Sequence, residues 1–155
     1  MSQLNALLNE YNENHKHPHN IFLHWICVPL IVWSLLALLW LLPVPDVFNR
    51  LPVQLNWALV ILTLAMVYYL LLSRTLAAGL LIIFILMLLP FSWINATAVS
   101  LLKLSLTVFV VAWIGQFVGH IIEGKRPSFF KDLQFLLIGP LWLLAQLYKK
   151  LHLPF

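Results

Sequence analysis

The sequence predicts an all-α membrane protein: a polytopic bundle of four transmembrane helices followed by a C-terminal re-entrant or interfacial helical segment. Three observations carry that expectation. Hydrophobic residues make up 63% of the 155-residue chain and charged residues 9%, with a mean hydropathy of +0.95, more apolar surface than a soluble core of this length can bury. Four apolar runs, at 21 to 42, 55 to 73, 76 to 96 and 99 to 122, are each long enough to cross about 30 Å of hydrocarbon at roughly 1.5 Å per residue. Lysines and arginines are distributed between the runs with the asymmetry that membrane insertion produces.

The first 20 residues are polar and do not resemble a signal peptide, so the first apolar run is expected to stay as a helix. Within them Leu4, Leu7, Leu8 and Tyr11 recur at helical spacing, which suggests a short amphipathic helix on the membrane surface. Pro18 disfavours a helical His17 and marks a turn before the first span. Pro43, Pro45 and Pro52 punctuate the first connection, whereas Arg74 and Thr75 leave the second so short that spans two and three must be antiparallel neighbours. Pro90 should kink the third span without ending it. After the fourth span, Lys131 and Asp132 shorten the last apolar stretch and Gly139-Pro140 interrupts it, giving a helical pair near the cytoplasmic face. The chain thus reads as one domain over 1–155: a cytoplasmic segment 1–20, a four-helix bundle 21–122 and a cytoplasm-facing tail 123–155.

With the amino terminus inside, Lys16, Arg74, Lys125, Arg126, Lys131, Lys149 and Lys150 face the cytoplasm, against Arg50 and Lys103 outside. Both termini are then cytoplasmic, in a bacterial inner membrane or the endoplasmic reticulum. The net charge of +4 is the mark of that face and calls for no nucleic-acid partner. Cys27, the only cysteine, excludes an intrachain disulfide or a cysteine-rich metal cluster.

This orientation brings together the most informative residues, His24 near the start of the first span and His120 near the end of the fourth. Ionisable groups at membrane depth are costly and mark function, and two converging imidazoles begin a metal site. Asn20 and His24 share a helix face, as do Gln116 and His120, with Glu123 three residues further on. Gly115 and Gly119 form a small-xxx-small pattern that lets a second helix approach. Plainer roles exist for each: interfacial or capping histidines, and amides or a carboxylate satisfying backbone or water. His15, His17 and His19, taken singly, read as solvated loop residues, His152 as a tail residue, and the tryptophans as interfacial anchors or packing.

The stretch YNENHKHPHNIFLHWICVP from Tyr11 to Pro29 and the stretch WIGQFVGHIIEGKRP from Trp113 to Pro127 together resemble the two signature blocks of the yeast 2-hydroxy fatty acid dioxygenase family. The likeness covers most of the chain, and between the blocks it is one of hydropathy. It implies an Fe(II)-dependent membrane enzyme that consumes O2 and shortens 2-hydroxy fatty acids by one carbon, the α-oxidation step of phytosphingosine degradation. It carries over His15, Asn20 and His24 from the first block and Gln116, His120 and Arg126 from the second. Where the yeast pattern has two adjacent histidines this chain has His15-Lys16, which leaves His17 and His19 as candidates for a fourth ligand.

On this resemblance His15, His24 and His120 hold the iron, Asn20, Gln116 and Glu123 orient them, and Arg126 or Lys125 attracts the substrate carboxylate. Glu123 as a direct ligand, giving a two-histidine, one-carboxylate triad, stays open. The acyl tail is expected between helices in hydrocarbon, and a homo-oligomer is compatible with the sequence. Two other classes remain: a b-type haem electron-transfer protein with His24 and His120 as axial ligands, and a non-catalytic membrane scaffold. A zinc hydrolase is a weaker fourth.

Overall fold

The computed structural model describes residues 3–49, 55–95, 99–124 and 129–155, without the side chains of 49, 92, 95 and 129–134. The described residues form seven helices in succession: α1 (Gln3–Asn14), α2 (Pro18–Leu41), α3 (Asp46–Asn49), α4 (Trp57–Leu72), α5 (Arg74–Asn95), α6 (Leu101–Glu123) and α7 (Phe129–Lys150). Among the described residues there is no strand. Arg126 and Lys125 lie outside the described residues.

Among the described residues three helices, not four, are long and apolar enough to cross a bilayer: Pro18–Leu41, Arg74–Phe91 within α5, and Leu101–Glu123. The expected second span is a helix of 16 residues, about 24 Å long against the roughly 30 Å of a hydrocarbon core. Polar caps trim it at both ends. Asn56 accepts a bond from Leu59 N–H at 3.0 Å at the start, and Ser73 breaks the helix in extended backbone at the end. The Ser73 hydroxyl then accepts from Leu76 N–H at 3.2 Å and opens α5 within a single residue, as short a connection as the sequence requires.

Helix α2 is the centre of the molecule and packs against α4, α5, α6 and α7. Its partnership with α6 is the most extensive and is antiparallel, since the start of one helix meets the end of the other. The two glycines of α6 make this possible. A Cβ at Gly115 would lie 2.6 Å from the Cys27 sulfur, and one at Gly119 would collide with the Asn20 amide oxygen. Both α2 and α5 run through their internal prolines, Pro29 and Pro90.

The tail departs from expectation more fully. The Gly139-Pro140 pair does not divide it, and α7 is one continuous helix whose middle, from Ile138 to Ala145, is almost wholly buried. Pro140 removes the donor that would meet the Leu136 carbonyl, and at the neighbouring Leu137 carbonyl the Tyr69 hydroxyl donates at 2.7 Å, tying α4 to this stretch of α7. Gly139 lets α7 approach α2, with the place of a Cβ only 3.2 Å from a Val28 methyl. Helix α1 is likewise not confined to a surface. Its apolar stripe, Leu4, Leu8 and Tyr11, joins the main core against α7. Asn12 fixes this contact by accepting from Trp142 Nε1 at 2.7 Å and Gln146 Nε2 at 3.0 Å.

Candidate metal centre

The three histidines brought together by the fold come from three places in the chain. His24 sits on the buried face of α2 two turns from its start, His120 in the last turn of α6, and His15 on the connector immediately after α1. One ring nitrogen from each lies within 4.8 Å of those of the other two. His15 and His24 are 4% and 2% exposed, and His120 is half-buried.

The orientation of two of these rings is set by backbone. His15 Nδ1 is 2.8 Å from the Tyr11 carbonyl, and His24 Nδ1 is 2.9 Å from the Asn20 carbonyl. A carbonyl only accepts, so each δ nitrogen carries the proton and, in the neutral ring, each ε nitrogen presents a bare lone pair. Those two ε nitrogens face each other at 2.9 Å. Two lone pairs at that distance repel unless a cation or proton lies between them. Imidazole nitrogens about 2.1 Å from one transition-metal ion and at right angles to each other are roughly 3.0 Å apart, so the observed spacing suits a shared ion. The δ-nitrogen bonds to carbonyls are also the support that metal-binding histidines receive.

Aromatic residues hold the third face. Tyr11 stacks on His15 with ring centroids 4.1 Å apart and planes 9° from parallel, and Phe135 and Trp142 pack around Tyr11 in turn. The histidines, Tyr11, Trp113 and Gln116 line a cavity of about 30 Å³, room for one or two water-sized occupants. Two of its walls carry unsatisfied polar atoms: Gln116 Oε1 and Trp113 Nε1 are buried without a hydrogen-bond partner. Such atoms cost about 1–3 kcal/mol each when left unmet, so the cavity is built for a polar occupant with both a donor and an acceptor.

Glu123 stands beside this centre and binds the chain. Its Oε1 accepts from Lys16 N–H at 2.9 Å, and its Oε2 from His17 N–H at 2.9 Å and Asn20 Nδ2 at 3.0 Å. It thus closes the start of α2, where backbone donors lack helical partners, and holds the connector that carries His15. His17 is the N-cap of α2 and accepts from His19 N–H at 3.3 Å; neither residue belongs to the histidine cluster. His152 lies at the far end of α7, exposed, in left-handed backbone.

Trp113 and Tyr11, which open the two resemblance blocks, are not among the expected site residues. Their signal was helical register. Trp113 is seven residues, two turns, before His120, and Tyr11 is four before His15, so each shares a face with a histidine.

Comparison with known proteins follows the same residues. The family model described as 2-hydroxy-palmitic acid dioxygenase Mpo1-like matches residues 1–151. A protein of Saccharomyces cerevisiae named 2-hydroxy-palmitic acid dioxygenase MPO1 is 31% identical over 152 residues, covering 96% of this chain and 81% of the yeast protein. No solved structure matches the chain.

Proposed function

The chain belongs to the 2-hydroxy-palmitic acid dioxygenase Mpo1-like family, and from that premise we propose that it is a membrane dioxygenase that uses Fe(II) and O2 to shorten 2-hydroxy fatty acids by one carbon. The reading rests above all on the approach of the His15 and His24 ε nitrogens to 2.9 Å beside a cavity that His120 also lines. The family supplies the reaction class, and the residues supply a site suited to it.

The reaction balances without an external reductant. Breaking the bond between the carboxyl carbon and the hydroxyl-bearing carbon, to give the shorter acid, carbon dioxide and water, releases four electrons, the number one O2 accepts. Iron, when bound, supplies the redox chemistry that lets O2 react with a closed-shell substrate. His15, His24 and His120 are the ligands in this reading, and three neutral imidazoles leave room at the ion for a small bidentate head group.

The remaining residues position that head group. Gln116 Oε1 is an acceptor suited to the substrate hydroxyl, and Trp113 Nε1–H a donor suited to its carboxylate. Glu123, with Asn20, keeps the His15 connector against α2 and acts through the ligands, not on the substrate. Arg126 or Lys125 draws the carboxylate toward the cytoplasmic mouth. The three long apolar helices support an integral membrane location, and Lys16 beside the start of α2 favours a cytoplasmic amino terminus. A haem is disfavoured by size, since a cavity of about 30 Å³ between rings whose centroids are 5.3 Å apart admits no macrocycle.

Elemental analysis and an absorption spectrum of detergent-purified protein, followed by O2 uptake with 2-hydroxypalmitate, test the proposal. Iron near one per chain, no Soret band, and uptake that disappears in H120A are expected. Zinc in place of iron, or iron with no uptake on any 2-hydroxy acid, overturns it.

A further inference from the structure

We infer that the substrate's acyl chain lies inside the protein, in an apolar cavity between α2, α4, α5 and α7, and that Ala65 and Leu39 determine how many carbons it accepts. This rests on the dioxygenase reading of the histidine site and adds where the rest of the substrate molecule goes.

The cavity has a volume of about 320 Å³, ten times the histidine cavity. No charged side chain lines it. Its one hydroxyl, on Tyr69, is engaged by the Leu137 carbonyl, so the lining offers an occupant nothing but hydrocarbon. A pocket of this kind takes an apolar ligand. Leu136 of α7 lines both cavities, and a chain that joins them would pass that residue.

Depth favours the substrate over an arbitrary lipid. Along α2 the path runs from His24 past Val32 to Leu39, fifteen residues or about 22 Å of helix. A zigzag hydrocarbon with bonds of about 1.5 Å advances roughly 1.25 Å per carbon, so sixteen carbons reach about 20 Å. Ala65 lies on α4 one turn from Tyr69, between Ile61 and Tyr69 in the middle of the α4 wall, and it is the smallest residue of the lining. A larger side chain there blocks the middle of the cavity, while Leu39 marks its far end.

The test is displacement of a fluorescent fatty acid, cis-parinaric acid, from detergent-purified metal-free protein by 2-hydroxy acids of eight, sixteen and twenty carbons. In Ala65→Phe the sixteen-carbon acid should bind at least about tenfold more weakly while the eight-carbon acid stays within about twofold, since each methylene excluded from the cavity loses its burial. Leu39→Ala, which removes bulk and does not depend on whether A65F folds, should strengthen the twenty-carbon acid relative to the sixteen. Loss that is equal at all lengths, no change in L39A, or displacement by lysophospholipid as effective as by the hydroxy acids overturns the inference. Because binding is read without iron or turnover, the two readings fail separately. Length-dependent binding in a wild-type protein that consumes no O2 supports the cavity and sinks the dioxygenase.

Discussion

His15 and His24 point their ε nitrogens at one another across 2.9 Å, each ring turned that way by a bond from its δ nitrogen to the carbonyl four residues earlier. One histidine belongs to a polar connector and the other to a buried helix face, and nothing in either local segment requires the meeting. The pair is held from outside, by Tyr11 stacked on one ring and by Glu123 gripping the chain between them.

A cation between those nitrogens should stabilise the fold as well as serve chemistry. Anaerobic chelation is expected to lower the midpoint of thermal unfolding, and Fe(II) to restore it. The gain is about 2.7 kcal/mol at a free metal concentration one hundred times the dissociation constant. The same titration on H24A should show no metal-dependent shift; an equal shift in the variant would remove His24 from the ligand set.

Glu123 acts through position, so its loss should be felt first as looser metal binding. Glu123→Ala removes the acceptor of three donors, one exposed and two part-buried, and a drop in stability of about 1 kcal/mol is expected. Weakening of metal affinity by about 10–100-fold should accompany it. Saturating metal should then return most of the turnover, whereas a variant that stays inactive at full metal occupancy would assign Glu123 a direct part in the reaction.

Trp113→Phe keeps the ring and deletes one donor. Bound metal should be unchanged, and kcat/KM should fall about 10–100-fold, the worth of a hydrogen bond to a charged group. An unchanged kcat/KM would show that the indole N–H has no contact with the substrate.

The close approach of α2 and α6 is open to a double-variant cycle. Gly115→Ala alone drives a methyl into the Cys27 sulfur and should cost about 1–3 kcal/mol. Adding Cys27→Ala removes the atom in the way, so the pair should lose less stability than the two single changes summed. Strict additivity would mean that the two helices do not meet at this point.

Much of this was visible in the sequence because it depended on spacing along one helix. The depth of His24 and His120, the polar stripes ending in Asn20 and Gln116, and the Gly115/Gly119 seam are helical-face patterns, and the fold brings the two stripes together. What failed depended on partners elsewhere. The span from 55 to 73 scored as apolar throughout, but its length is cut by two capping side chains, Asn56 and Ser73, whose effect hydropathy does not register. Gly139-Pro140 reads as a break in isolation; burial against α2 and the Tyr69 bond keep α7 whole. Glu123 was recognised as important, yet its partners are backbone donors more than a hundred residues away, which no local pattern announces.

The tie between Asn12 and Trp142, across 130 positions of sequence, sets the order of events during biosynthesis. Ribosomes extend a chain at roughly 5–20 residues per second, so the first helix waits many seconds before the last one emerges to receive it. Until then Tyr11, and the His15 ring stacked on it, have no Trp142 beside them. The surroundings of the histidine cluster are consequently completed only once α7 has been made. A nascent or C-terminally truncated chain inserts its apolar helices with the histidine cluster still lacking the aromatic wall that α7 supplies.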